Sequence, residues 1–368
     1  LKIASVETIA ISIPLETPVS DAVRLIAHRD HLIVRIRTAD GLTGEGVTLA
    51  YDSSLAMIPL IRALFEPILV GASAFETERL WAEMFRQSIQ SGRRGMALRL
   101  LSAIDIALWD LRAKAAGVSV AKLLGIYRTE LPCYATGGYY REGQTYADLA
   151  REYAAYAEAG FKAAKLKVGK YPPAEDARRL ATIRKLLGDD FEILLDANGG
   201  WPDAPSAIGA MRRLEEYRPF WIEEPVRADN QLAMARIAAE LTTPVATGEL
   251  EATRWAFANL LHLKAADILQ PDAVVCGGVS EWLRIAHMAA AFDIPIAPHY
   301  HWDYHTQLLA AQPNGLFIEY FVRASQVKVF DAVVENPIEP VNGVIRPRDE
   351  PGFGLRLIEK KIQEYRIG

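Results

Sequence analysis

Residues 191–224 read FEILLDANGGWPDAPSAIGAMRRLEEYRPFWIEE. A short apolar run ends in Asp196-Ala197-Asn198, a helix-length segment covers Ala204 to Tyr217, and a second apolar run ends in Glu223. Read outward, the same unit recurs on both sides. LPCYATGG (131–138) and KAAKLKV (162–168) precede it, and PVATGE (244–249), DILQPD (267–272), IPIAPH (294–299) and LFIEY (316–320) follow. Helix-length segments such as Val279 to Phe292 separate them, seven in all. Strands that alternate with helices imply a parallel sheet, because parallel neighbours need long crossovers. Eight such strands can close into a β/α barrel, and roughly 200 residues is the lower limit for that fold. A doubly wound open sheet is the competing arrangement. It is disfavoured because no Gly-rich dinucleotide fingerprint or phosphate loop follows the first strand.

Further out, the first third is mixed α and β. Ile3 to Ile13 and His31 to Thr38 alternate as half-buried strands do, and Ala39-Asp40-Gly41 reads as a turn. Ala97 to Ala116 carries Leu101, Ile104, Leu108 and Leu111 at helical spacing before Gly117 stops it. Val19 to Asp30 lies between two strands, holds Arg24, His28 and Arg29, and reads as a mobile polar loop. The expected division is an α+β capping domain, 1–128, completed by a tail, 335–368, that folds back on it, and a barrel, 129–334.

Composition excludes several classes. Of 368 residues, 51% are hydrophobic and 24% charged, the balance of a globular protein. With 41 Lys and Arg against 46 Asp and Glu, the net charge of −5 gives no reason to expect nucleic acid or an anionic membrane. Cys133 and Cys276 are too few for a disulfide framework and point to a reducing compartment. Leu1 to Leu15 alternates and carries Glu7, unlike a signal-peptide core, and no run approaches the ~20 apolar residues of a membrane span. A cytoplasmic protein is expected.

The ionisable residues fall at the strand ends. These are Lys165 and Lys167, Asp196, Glu223, Glu249, Asp272, His299 and Glu319, and steps of 29, 27, 26, 23, 27 and 20 residues separate them from Lys167 onward. In a β/α barrel these ends converge on the mouth that carries the active site. Lys165 and Lys167 share a strand face, as do Asp196 and Asn198. Each taken alone has a bland explanation. An acid after a strand is most often a helix N-cap, a Lys-x-Lys a solvated edge, and a histidine such as His301 or His305 a packed core residue. Together they supply a complete site. Asp196, Glu223 and Glu249 are three hard oxygen ligands, suited to Mg²⁺ rather than zinc. Paired lysines depress each other's pKa, so a neutral Lys167 could act as a base. Asp272 on one nitrogen of His299 would fix its tautomer and leave the other free for proton transfer. Glu319, if held protonated, could donate to a developing oxyanion. This combination suits removal of a proton α to a carboxylate.

With SAIDIALWDLRAKAAG in the first third and KLK, LLDANGG, WIEEP, ATGE, QPDAVVCGGV, APH and IEY in the barrel, the chain resembles the enolase superfamily, and within it the mandelate racemase subgroup, over nearly its whole length. The resemblance implies a modified (β/α)7β barrel with an N-terminal α+β capping domain. It implies Asp196, Glu223 and Glu249 as Mg²⁺ ligands, with Lys167, assisted by Lys165, as base on one substrate face. His299, paired with Asp272, serves the other face, and Asn198 and Glu319 bind substrate oxygens. A homo-oligomer, dimer or octamer, is also implied. The muconate-lactonizing subgroup fits less well, because it has a lysine where this chain has Asp272.

The reaction is read from the polar residues expected around the mouth. Arg24, His28, Tyr139, Tyr140, His301 and Trp302 add hydrogen-bonding groups where an aryl substrate would need an apolar wall, so a small-molecule sugar acid is expected. Lys167 would take its α-proton and His299 would assist loss of the β-hydroxyl, giving a 2-keto-3-deoxy acid. The alternative is a racemase or epimerase of a 2-hydroxy acid using the same two groups. Arg24 and His28 could instead be solvated or contact a neighbouring subunit. A zinc hydrolase built on His299-x-His301 lacks further histidines at other strand ends. A silent binding protein on this fold would have no use for the full set of acids and bases.

Overall fold

β1 (Ile3–Ser20), β2 (Leu25–Thr38) and β3 (Thr43–Leu49) form an antiparallel meander in the computed structural model, which describes residues 1–368. α1 (Ser54–Leu64), α2 (Glu66–Leu69), α3 (Thr77–Ser88), α4 (Met96–Ala115) and α5 (Val120–Leu124) follow. α4 lies against β3 at backbone distance. A Cβ on Gly44 or Gly46 would stand 2.2 or 2.0 Å from the carbonyl oxygens of Ala107 and Ala103. One side of α4 (Leu100, Leu101, Ile104, Leu108 and Leu111) joins the meander's own core, while Ile106, Trp109 and Ala113 belong to the core shared with the barrel. A helix apolar on nearly every side is one that packs between two bodies.

The barrel runs β4 (Leu131–Gly137), α6 (Tyr146–Glu158), β5 (Ala163–Lys167), α7 (Pro173–Leu187), β6 (Glu192–Asp196), α8 (Ala204–Leu214), β7 (Trp221–Glu223) and α9 (Gln231–Glu240). It continues with β8 (Val245–Thr247), α10 (Thr253–His262), β9 (Ile268–Leu269), α11 (Gly278–Ala291), α12 (Trp302–Leu309) and β10 (Ile318–Tyr320). β4 to β9 are parallel neighbours in order, and β10 returns to pair with β4. The expected strand at 294–299 is reduced to Ile296, bridged to Leu269 on one side and Gly315 on the other. Pro295 and Pro298 explain this, since neither can donate to a ladder. Counted with that bridge, seven strand–helix units and a last strand close the (β/α)7β barrel.

The strands' two-residue period sorts the interior into layers. Tyr134, Ala163, Leu194, Trp221, Ala246, Ile268 and Ala297 pack together as a buried apolar floor. Two residues further along each strand stand Thr136, Lys165, Asp196, Glu223, Gly248, Gln270 and His299, so the polar layer sits on that floor.

The two bodies meet where α4 crosses the start of α11. Asp105 accepts hydrogen bonds from the Ser280 N–H and Oγ, both at 2.8 Å, and Trp109 Nε1 donates to Ser280 Oγ. Gly278, at φ +85°, allows that approach, because a Cβ there would fall 2.4 Å from Asp105 Cβ. The tail touches both bodies. β11 (Val344–Ile345) pairs antiparallel with β4, while α13 (Glu359–Tyr365) places Glu359 on Arg35 of β2. No helix is long and apolar enough to cross a membrane.

The segment 19–30 differs from the expected mobile loop. It is the tip of the β1–β2 hairpin, with Val19 opposite Ile26 and Ser20 opposite Leu25. Asp21 closes the turn, accepting from the Val23 and Arg24 N–H groups at 2.9 Å and from Arg24 Nε at 2.8 Å. Val19 and Ile26 are buried, and that burial fixes the pairing on either side of the turn at 21–24.

Candidate active site

Every ionisable strand-end residue named from the sequence stands on the same rim of the barrel. Asp196, Glu223 and Glu249 bring carboxylate oxygens within 4.8 Å of one another, all buried. Lys165 Nζ lies 2.9 Å from Glu223 Oε1, 2.7 Å from Glu319 Oε1 and 3.5 Å from Asp196 Oδ2. Lys167 Nζ contacts Asp196 Oδ2 and lies 4.9 Å from the centre of the Tyr139 ring. Across the mouth His299 Nδ1 is 2.9 Å from Asp272 Oδ2, and its Nε2 is 3.4 Å from Glu249 Oε2. Asn198, at φ +45°, donates its N–H to Asp196 Oδ1 at 2.9 Å, and its own buried Oδ1 has no partner.

The donor set fits a hard dication. All three ligand-type groups are carboxylates, and burial with the adjacent Asp196 pushes Glu223 up to about 8. Crowded anions of this kind are relieved by a cation. Burial alone would lower both lysines, but the carboxylates outweigh it, Glu223 and Glu319 for Lys165 and Asp196 for Lys167, and both are raised. The expectation that the pair depress each other therefore holds only in sign for one contribution: Lys165 does lower Lys167, against a larger pull from Asp196. Glu319 also departs from expectation. Burial would raise it, yet Lys165 and His299 bring it down to about 2, and it accepts from Thr136 Oγ1 and the Tyr300 N–H at 2.8 Å. It is an ionised acceptor and not a protonated donor. His299 would be lowered by burial, but Glu249 and the bond to Asp272 carry it up to about 10.

The outer residues divide. The hairpin tip lies over the mouth: Ser20 and Tyr140 exchange backbone hydrogen bonds at 2.9 Å, and a Cβ on Gly200 would meet Ala22 at 2.7 Å. Arg24 stacks on the half-buried Tyr51 ring at 4.9 Å, with Glu249 among its charged neighbours. Tyr140 is an anchor, its hydroxyl bonded to Asp176. His28 is held elsewhere, 2.5 Å from Asp52 Oδ1. His301 is fully buried among Tyr300, Tyr304, His31 and Phe330, and Trp302 is buried beneath Lys328. Two residues not singled out from the sequence, Tyr51 and Thr136, also reach this region, as does Arg29 of the polar segment. Tyr51 lies between Arg24 and Arg99 with His299 and Glu249 among its neighbours, Arg29 lies 5.5 Å from the Tyr300 ring, and Thr136 bonds Glu319. Thr136 was legible as the inward partner of Tyr134 on the first strand; Tyr51 sits in a turn with no periodic signal.

Two family descriptions match: "Mandelate racemase / muconate lactonizing enzyme, N-terminal domain" over residues 3–125 and "Enolase C-terminal domain-like" over residues 146–361. The chain belongs to the mandelate racemase/muconate lactonizing enzyme family. Among its relatives, an arabinonate dehydratase of Saccharolobus solfataricus is 35% identical over 335 residues, covering 90% of this chain and 89% of the relative. A D-galactarolactone cycloisomerase of Agrobacterium fabrum is 34% identical, covering 100% and 99%. A solved structure, the L-talarate/galactarate dehydratase of Salmonella typhimurium LT2 liganded with Mg and L-lyxarohydroxamate, superposes with a TM-score of 0.92 at 32% identity, covering 100% of this chain and 93% of that one.

Proposed function

We propose that this chain is a Mg²⁺-dependent dehydratase of a sugar acid, an aldonate or aldarate, forming a 2-keto-3-deoxy acid. The observation that carries the reading is the placement of Lys167 and His299 at opposite ends of the carboxylate arc. Lys167 contacts Asp196, the first of the three, and His299 contacts Glu249, the last. A carboxylate substrate seated at the arc has an ionisable group on each side of its α-carbon. Asp196, Glu223 and Glu249 would hold the cation, which when bound neutralises them, lowers the lysines, and as a Lewis acid stabilises the enediolate form of the substrate.

The chain's own groups then divide the work. Lys167 takes the α-proton, and the like charge of Lys165 opposes the upward pull of Asp196 on that amine. His299, oriented by Asp272 and held protonated, gives its proton to the departing β-hydroxyl, so the net change is loss of water. The resulting enol ketonises to the keto acid. In this reading Asn198 and Arg24 bind substrate oxygens, and Tyr139 lies against the amine of Lys167. In this reading the unit 1–128 with 335–368 supplies the cover and the barrel, 129–334, supplies every ionisable group of the arc. We also propose a cytoplasmic homo-oligomer, dimer or octamer. Val23 and Leu25 remain exposed at the hairpin tip, where a second copy would cover them, and both cysteines are free thiols.

Purified protein with Mg²⁺ and a library of sugar acids in D₂O, read by proton NMR, tests the reading. A keto-deoxy product is expected. Deuterium entering the α-position without water loss from any acid would replace it with a racemase or epimerase using the same two groups. The dehydratase relatives and the polar cover favour the lyase.

A further inference from the structure

Outside the carboxylate arc, His28, Asp30 and Asp52 form a second group of ligand-type side chains, whose ligand atoms all lie within 4.8 Å of one another. His28 and Asp30 are alternate residues of β2 and so share a face. Asp52 comes from the turn between β3 and α1. His28 Nε2 lies 2.5 Å from Asp52 Oδ1 and 3.6 Å from Asp30 Oδ1. Asp30 is the informative member. Its side chain is 7% exposed, its Oδ1 is buried with no hydrogen-bond donor, and its Oδ2 has only a 3.5 Å contact with Ser54 Oγ. At 3.6 Å the imidazole is too far to donate, and an unpaired buried carboxylate oxygen is costly. That oxygen points into the gap between His28 and Asp52.

We propose that His28, Asp30 and Asp52 form a second divalent-cation site, selective for a borderline ion such as Zn²⁺. One imidazole nitrogen and two carboxylates are a zinc-type donor set, unlike the all-oxygen arc. Zinc ligands at ~2.1 Å in a tetrahedral shell stand roughly 3.4 Å apart, close to the His28–Asp30 spacing. Asp52, 77% exposed, is free to swing outward by the remainder, and water completes the shell. The site has a structural consequence. Tyr51 and Asp52 share one turn at φ +45° and +61°, and Tyr51 is the residue stacked between Arg24 and Arg99 beside the mouth. A cation on Asp52 ties that turn to β2 and holds Tyr51 in place.

Titration of the purified protein with Zn²⁺ alone, followed by anomalous diffraction from Zn²⁺-soaked crystals, tests this. The wild type should bind two ions per chain, with one anomalous peak between His28 and Asp30. His28→Ala and Asp52→Asn alter exposed side chains only, and each should weaken one of the two ions at least tenfold and leave the other. Glu249→Gln should weaken the arc ion and leave the His28 ion, so failure of the arc assignment is distinguishable from failure of this one. A single bound ion weakened by Glu249→Gln alone, or a second ion indifferent to His28→Ala, overturns the proposal and leaves a simple His28–Asp52 ion pair.

Discussion

The Nδ1 of His299 stands 2.9 Å from Oδ2 of Asp272, so the imidazole is gripped from the side away from Glu249. Two residues 27 positions apart in the chain thus act as one group. A carboxylate there favours the proton on Nδ1 and raises the basicity of Nε2.

His299→Asn is therefore expected to lower turnover by about 10²–10⁴-fold, the usual worth of a positioned acid or base. Exchange of the substrate α-proton in D₂O should persist, because Lys167 is untouched. Lys167→Ala should abolish exchange and turnover together. Proton NMR in D₂O with circular dichroism as the fold control separates these outcomes, and near-wild-type turnover in either variant removes that residue from its role.

Glu249→Gln replaces one charged oxygen of the arc by a neutral amide. Mg²⁺ affinity should fall by about tenfold or more, as losses at metal shells do. Calorimetric titration of the two proteins checks it, and equal affinities would take Glu249 out of the ligand set.

His31 is buried with neither ring nitrogen paired. Burial, then Arg29 and Lys328, lowers it from 6.5 to about 3. Between those values the unfolded chain binds a proton that the folded chain does not. This contribution is therefore whole above pH 6.5 and is lost as pH falls toward 3. In His31→Phe the urea midpoint should decline less steeply from about pH 6 to 4 than in the wild type. Parallel pH profiles would contradict the neutral buried imidazole.

Gly46 has no room for a methyl group, with Ala103 O 2.0 Å from its missing Cβ. Gly46→Ala should push α4 off β3 and cost about 1–3 kcal/mol, the range for overpacking. Denaturant unfolding measures this, and an unchanged midpoint would show that the helix slides freely.

The barrel was readable because seven of its eight strands end in ionisable residues, and spacing alone places such ends on one rim. The helix at Met96–Ala115 was readable for a similar reason, its leucines and isoleucines recurring at helical intervals before Gly117. What failed was contact between distant segments. The hairpin tip looked like a loop because Arg24, His28 and Arg29 outnumber Val19 and Ile26, whose burial depends on the barrel below. His28 was grouped with Arg24 on proximity in sequence, but its neighbour is Asp52 of another turn. The charge states of Lys167 and Glu319 depend on which atoms lie within 3 Å, and a pattern of letters carries no such distances. The expected strand at 294–299 was shortened by Pro295 and Pro298, whose missing donors could have been counted in advance.

The apolar layer of Tyr134, Leu194 and Trp221 closes the barrel beneath Lys165 and Glu223. A tube stoppered at one end has a single door. Substrate, released water and keto acid must all pass the rim on which residues 21–24 rest, and in opposite directions within one cycle. The hairpin that shields the chemistry therefore also stands in the path of everything that enters or leaves.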